Sequence, residues 1–138
     1  MKKALIDTNV VLDILLNRSD FYGDSADVYS LAYNRVITGY VTAASVTDIF
    51  YIASKDIGKK DTKEALKRLL KVFYPATVTD KDIYKALDMD WDDFEDSVQY
   101  SVGESFSADY IVTRNTQDFS SGTIPAVTPE QFIQIITE

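Results

Sequence analysis

Residues 5–13 read Leu5-Ile6-Asp7-Thr8-Asn9-Val10-Val11-Leu12-Asp13 and join two different hydrophobic patterns. The apolar run before Asp7 is short and has the character of a strand that is buried on both faces. From Val10 to Leu16 the apolar residues are typical of a helix that begins directly after that strand. A strand followed at once by a helix predicts the first unit of an α/β domain, with Asp7 at the carboxyl end of the strand.

The same alternation continues through the rest of the chain. Short apolar runs predict, after the first strand at residues 4–6, four more strands at residues 36–41, 76–78, 110–113 and 125–127. Helix-period segments predict helices at residues 10–16, 26–32, 45–57, 62–73 and 80–87, and others that begin near Asp92 and Pro129. We therefore expect an α/β fold of three α/β/α layers, with a mostly parallel, roughly five-stranded central sheet. The length of 138 residues, 46% of them hydrophobic, predicts one domain over residues 1–138.

Local signals predict where several helices begin and end. Ser45 and Asp48 form a weak capping box for the third helix. Asp92 is the expected N-cap of a later helix, with Glu95 as its box partner. Pro75 predicts the end of the helix before it, because proline disrupts a continuing helix.

The composition excludes several kinds of catalytic site. The chain has no histidine and no cysteine, so a zinc site of the usual kind is nearly excluded. A Ser-His-Asp triad, a Cys-His pair and a histidine general base are excluded outright. Hydrolytic chemistry in this chain must depend on carboxylates, lysines or hard metal ions bound by oxygen.

Charge and hydropathy bound the partners and the compartment. The net charge of −8 argues against coating nucleic acid by bulk electrostatics. Residues 55–71 are nevertheless basic and residues 80–96 acidic, which fits a phosphate-facing rim beside a metal-facing centre, or simply two solvated helix faces. No apolar run is long enough to span a bilayer, and the start is too short for a signal peptide. We expect a cytoplasmic protein with no membrane partner, and the lack of cysteine agrees with a reducing compartment.

Four aspartates are predicted to lie at one edge of the sheet. Asp7 and Asp118 follow the first and fourth strands, while Asp48 and Asp96 lie in the first turns of helices. Each also has a structural interpretation: Asp7 as a helix cap, Asp48 as part of a capping box, Asp96 as an exposed helix acid and Asp118 as a turn residue. Clustered carboxylates repel one another and persist mainly where a cation neutralises them. Taken together, the four acids predict a metal site.

Four segments make the chain resemble the PIN domain family, the nuclease fold of the VapC toxins. They are the opening segment at residues 5–13, the helix start at residues 92–96, the strand and its sequel at residues 108–119, and the closing segment at residues 124–132. The resemblance covers almost the whole length of the chain. It implies a sheet with the first strand in the middle and an acidic pocket that holds one or two Mg²⁺ or Mn²⁺ ions.

The resemblance also implies roles for particular acids. Asp7 matches the first acid of the family, Asp96 the third, and Asp118 an acid of the fourth motif, and these three would bind metal. Asp48 stands where the second acid is usually glutamate, and completes the catalytic set. Asn115 stands where many relatives have an acid, so either Asp118 takes that role or Asn115 holds water.

Further residues are implied around these acids. Thr8, Asn9, Ser45 and Thr113 would orient the carboxylates. Arg114, at the mouth of the site, either contacts a substrate phosphate or pairs with a nearby acid.

The implied function is a metal-dependent endoribonuclease, the toxin of a toxin–antitoxin pair. It would act as a homodimer, with a small antitoxin protein covering the pocket, and RNA is preferred over DNA by resemblance alone. The alternative is a catalytically weak or inactive PIN-like domain that binds RNA or protein. A haloacid-dehalogenase-like phosphotransferase is disfavoured, because it requires a second aspartate where Asn9 stands and a late lysine, and no lysine follows Lys85.

Overall fold

The computed structural model describes residues 1–18 and 20–138. Its five strands are β1 (Lys2–Ile6), β2 (Ile37–Thr42), β3 (Phe73–Ala76), β4 (Tyr110–Val112) and β5 (Ala126–Val127). The described residues also form seven α-helices: α1 (Thr8–Leu15), α2 (Tyr22–Tyr33), α3 (Ala43–Ile57), α4 (Lys59–Leu69), α5 (Asp80–Asp88), α6 (Phe94–Ser105) and α7 (Pro129–Thr137). A short 3₁₀ helix (Thr116–Phe119) lies between β4 and β5.

The strands form one parallel sheet in the order β3-β2-β1-β4-β5, which confirms the predicted α/β fold with the first strand in the middle. Leu5 of β1 pairs with Tyr40 on one side and with Ile111 on the other. The chain runs outward from β1 in one direction through β2 and β3, and in the other through β4 and β5. The crevice beyond the carboxyl ends of β1 and β4 is therefore the switch point of the sheet, where ligands bind in open α/β folds.

Alternate residues of β1 pack into different cores, so helices cover both faces of the sheet. Ala4 and Ile6 belong to a large apolar cluster that also contains Val28 of α2 and Phe132 of α7. Leu5, which points to the opposite face, packs in a separate cluster. β1 is thus buried on both sides, which explains its unbroken apolar sequence.

The third strand lies earlier than the sequence pattern predicted. The helix expected over residues 62–73 ends at Leu69, and Phe73 is the first residue of β3, where it is fully buried and pairs with Gly39. Pro75 lies within β3 instead of marking a helix end. Proline is tolerated there because β3 is an edge strand, where a missing backbone N–H costs little.

Two predicted helix caps are also wrong by one turn or one residue. The N-cap of α3 is Thr42, whose hydroxyl accepts a bond from the backbone N–H of Ser45, so Ser45 lies inside the helix. The N-cap of α6 is Asp93 rather than Asp92, and its carboxylate accepts from the backbone N–H of Asp96 at 3.0 Å. Adjacent cap-forming residues compete, and the backbone path decides between them.

None of the helices in the described part of the chain combines the length and the apolarity needed to cross a membrane.

Candidate active site

Asp7 is held by three other elements at the carboxyl edge of the sheet. Its side chain is only 5% exposed. Oδ1 accepts hydrogen bonds from the backbone N–H of Thr8 at 2.8 Å and from Nε2 of Gln99 at 3.0 Å. Oδ2 accepts from the hydroxyl of Thr113 at 2.8 Å. Asp7 is thus the cap of α1, as its structural interpretation predicted, but contacts to α6 and to the end of β4 also fix its orientation.

Gln99 is a site residue that the sequence analysis missed. It is buried in α6 and donates to Asp7, and within the described ranges its Oε1 is a buried oxygen without a hydrogen-bond partner. A buried, unsatisfied oxygen is costly, so this atom is ready to accept from a ligand or a water. Gln99 follows Asp96 by three positions and Glu95 by four, and this helical spacing was the available signal.

Asp96 lies in the first turn of α6, beside several other acids. Burial, followed in order of importance by the negative charges of Asp93, Asp7, Asp118 and Glu95, raises the pKa of Asp96 to about 7. The structure therefore brings three of the four predicted acids, Asp7, Asp96 and Asp118, into one electrostatic field. Because these carboxylates repel, the field favours a cation.

Glu95 belongs to the same cluster and connects it to the fourth predicted acid. Burial raises the pKa of Glu95, and the charge of Asp48 raises it further. The hydroxyl of Thr8 donates to Oε1 of Glu95 at 3.3 Å, which lowers this pKa in part. The sequence analysis assigned Glu95 only to a helix cap. The structure instead brings Glu95 into the electrostatic field of Asp48, the residue that stands where the resemblance implies a glutamate.

A cavity of about 310 Å³ opens next to Asp96 and Asp118. Acids from the loop before α6 complete its wall, including Asp90, Asp92 and Asp93. Asp118 itself is exposed, in the 3₁₀ helix after β4. We call this the acidic cavity, and its charge disfavours any anion that is not accompanied by a cation.

The donor set suits a hard divalent cation, but it is not closed around one. Carboxylate and amide oxygens are the ligands that Mg²⁺ and Mn²⁺ prefer. Across residues 1–18 and 20–138, however, no three acidic side chains lie close enough together to hold one ion. The chemistry of these residues fits a divalent metal ion. Their spacing is that of an open site, because carboxylates that no cation neutralises repel one another.

The residues expected to orient the acids divide into two groups. Thr8 and Thr113 contact acids of the cluster directly, at Glu95 and Asp7 respectively. Ser45 instead bonds to Thr42 at the start of α3. Asn9 is half-buried in the first turn of α1, and no side-chain hydrogen bond of Asn9 is seen among the described residues.

Arg114 is paired with an acid, which was one of its two predicted roles. Its Nε lies 2.9 Å from Oδ2 of Asp13, whose side chain is fully buried. Arg18 approaches the other oxygen of Asp13 at 3.4 Å. The Arg114 guanidinium also lies 4.0 Å from the centre of the Phe21 ring. Asn115 donates its backbone N–H to the Thr113 hydroxyl at 3.0 Å, so Thr113 connects this region to Asp7.

Comparison with known proteins gives a family and a shared fold. The family model described as PIN domain matches residues 3–117. A chain in the crystal structure of VapBC2 from Rickettsia felis, bound to a DNA fragment from their promoter, is similar with a TM-score of 0.66 and 16% identity, over 91% of this chain and 96% of that one. A chain of a toxin–antitoxin complex from Klebsiella pneumoniae is similar with a TM-score of 0.65 and 20% identity, over 91% and 97% of the two chains. No curated protein sequence matches at a significant level.

Proposed function

The chain belongs to the PIN domain family, and from this premise we propose that it is a metal-dependent endoribonuclease that hydrolyses RNA phosphodiester bonds as the toxin of a toxin–antitoxin pair. The observation that carries the proposal is the electrostatic field of Asp96, whose pKa is raised to about 7 by burial and by four neighbouring acids. Such a cluster of acids destabilises the fold unless a cation neutralises it. Acids that lie together at the switch point of a sheet are typical of a functional site.

Asp7, Asp96 and Asp118 would hold one or two Mg²⁺ or Mn²⁺ ions, with Asp48 or Glu95 completing the set. A bound ion of this kind supplies charge neutralisation at the phosphate and lowers the pKa of an attacking water. The chain's own part is positional: Thr113 and Gln99 hold the Asp7 carboxylate in one orientation, and Thr8 restrains Glu95. With no histidine in the sequence, proton transfer falls to carboxylates and water.

The partner assignments are part of the same proposal. The likeness to chains of toxin–antitoxin complexes supports a small antitoxin that covers the acidic cavity. Exposed apolar side chains offer surface for a homodimer, among them Tyr51, Ile52, Tyr84 and Leu87. We also infer one domain over residues 1–138 and a cytoplasmic location, supported by the single sheet that the strands form and by the absence of cysteine.

The test is cleavage of a labelled structured RNA with Mn²⁺, with Mg²⁺ and with EDTA. We expect cutting with either ion, none with EDTA, and a loss of at least about 100-fold in Asp7→Asn and in Asp96→Asn. Asp56→Asn, at an exposed acid of α3, is the matched control and should cut like the wild type. Equal cutting by all three variants would overturn the assignment of the site, and cutting in EDTA would overturn the metal dependence.

A second candidate function is that of an inactive binding module. The open spacing of the acids and the substitutions at Asp48 and Asn115 favour it. Calorimetry with Mn²⁺ separates the two functions. If the chain is an inactive module, the wild-type protein should bind Mn²⁺ no more tightly than Asp7→Asn does.

A further inference from the structure

A second cavity, also of about 310 Å³, is lined, like the acidic cavity, by residues that follow β4. Its wall consists of the first turn of α2, the residues after β4 and the start of α7; we call it the α2/α7 cavity. It adjoins the site because Arg114 and Asn115 line it, and both directly follow Thr113, the residue that bonds Asp7. Residues 113–118 therefore connect the two cavities: Thr113 bonds Asp7, Arg114 and Asn115 line the α2/α7 cavity, and Gln117 and Asp118 line the acidic cavity.

The α2/α7 cavity contains a polar group that its own fold leaves unsatisfied. Ser25 lines the cavity and is fully buried, and its hydroxyl has no hydrogen-bond partner in the part of the chain that the structure describes. A buried hydroxyl without a partner is rare because it loses its bonds to water without replacing them. An incoming group with polar edges would satisfy it.

The charges of the cavity argue against an anion. Among the described residues, Arg114 is the one basic residue in its wall, and the buried Asp13 already pairs with it at 2.9 Å. Asp24 and Glu130 are exposed carboxylates at the rim. The wall therefore carries more negative than free positive charge and offers mainly acceptors, which suit a neutral ligand that donates N–H groups.

The shape of the wall suits a flat ring. The Arg114 guanidinium is planar and stacks against Phe21, whose ring centre lies 4.0 Å away, and Pro129 forms a buried apolar part of the wall. Guanidinium planes and aromatic side chains are the groups on which proteins stack unpaired bases of single-stranded RNA. The polar edge of such a base would then face Ser25, Asn115 and the rim acids.

We infer that the α2/α7 cavity binds the nucleobase next to the scissile phosphodiester, and that it prefers bases with an exocyclic amino group over uracil. The inference rests on the proposed ribonuclease function for its biological meaning. Adenine, cytosine and guanine each carry an amino group that can donate to a carboxylate, and uracil carries none.

The test is a titration of the wild-type protein, in EDTA, with adenosine, cytidine, guanosine, uridine and ribose, which carry no phosphate for the acids to repel. Binding is followed by ¹H–¹⁵N chemical shifts. We expect shifts at residues 24–25, 114–115 and 128–131, with adenosine, cytidine and guanosine bound at least about fivefold more tightly than uridine or ribose. Equal binding of all five compounds, or shifts confined to other residues, would overturn the inference.

Ser25→Ala is the decisive variant, because removing an unsatisfied hydroxyl should leave stability unchanged or raise it. It should bind adenosine, cytidine and guanosine about fivefold more weakly, whereas Ser30→Ala, at an exposed serine of the same helix, should bind like the wild type. Glu130→Gln provides an independent test and should reduce the preference over uridine. Wild-type binding by both Ser25→Ala and Glu130→Gln would contradict the inference.

Cleavage assays keep the two proposals separate. If the nucleosides bind as expected but no RNA is cut, the nuclease proposal fails and the base cavity stands. If RNA is cut and Ser25→Ala binds nucleosides like the wild type, the base cavity alone fails.

Discussion

Replacing Thr113 by valine should weaken both the fold and the metal site. The Thr113 hydroxyl donates to Oδ2 of Asp7 at 2.8 Å and accepts from the backbone N–H of Asn115 at 3.0 Å, and the residue is fully buried. A hydrogen bond to a charged group contributes about 1.5–3 kcal/mol, and an N–H left half-buried without a partner costs about 1 kcal/mol. Since valine has nearly the shape of threonine, no cavity term is added. We expect a loss of about 2.5–4 kcal/mol.

Thermal unfolding at pH 7.5 in EDTA measures this loss. At this chain length about 1 kcal/mol corresponds to about 4 °C, so Thr113→Val should lower the Tm by about 10–16 °C. Thr113→Ser is the matched control: it keeps the hydroxyl and loses one methyl group, at about 1 kcal/mol. Affinity for Mn²⁺ should fall at least about tenfold in Thr113→Val and much less in Thr113→Ser. Equal Tm values for the two variants would refute the view that Thr113 positions Asp7.

Other predictions concern the remaining contacts of the cluster. The pKa of Asp96 is raised from 3.8 to about 7 in the folded state, so the folded state binds the additional proton between these pH values. Stability should therefore fall as pH rises from about 4 to about 7, and Asp96→Asn should exceed the wild type in Tm at pH 8 but much less at pH 5, in EDTA; a difference independent of pH would contradict this. Gln99→Leu should weaken Mn²⁺ binding at least about tenfold by calorimetry, because Asp7 loses a hydrogen-bond donor and the unpartnered Oε1 of Gln99 is removed. An unchanged affinity would exclude a role of Gln99 in positioning Asp7. Arg114→Met should cost about 3–5 kcal/mol in urea unfolding, because it leaves the buried Asp13 charge short of a partner, whereas Arg114→Met with Asp13→Leu should recover much of this; no recovery would show that the ion pair is not the cause.

The fold was readable from the sequence because its signals are local and repeated. The apolar run ending at Asp7 predicted a strand buried on both faces, and β1 lies in the middle of the sheet with Ala4 and Leu5 in different cores. The third strand was misplaced because Pro75, judged from the local sequence alone, predicts the end of the preceding helix. Only pairing with β2 at the sheet edge makes a strand over Phe73–Ala76 the better solution.

Part of the candidate site was predictable for the same reason. In a parallel sheet the residues after each strand and the first turns of the helices meet at one edge, so Asp7, Asp96 and Asp118 could be expected together, and all three lie in one electrostatic field. Glu95 was not predicted as a site residue because its spacing from Asp92 also fits a capping box. A capping residue and a site residue can have the same local sequence.

Contacts between distant residues had no such local signal. Gln99 lies 92 positions from Asp7, and Arg114 lies 101 positions from Asp13, yet each pair is in direct contact. Local sequence carries backbone propensities and hydrophobic period, and these are enough to predict the strands, the helices and the edge of the sheet where the site lies, whereas the central position of the first strand was implied by the family resemblance. Which polar side chain satisfies which buried partner depends on how helices pack on the sheet, and that packing is a property of the folded chain alone.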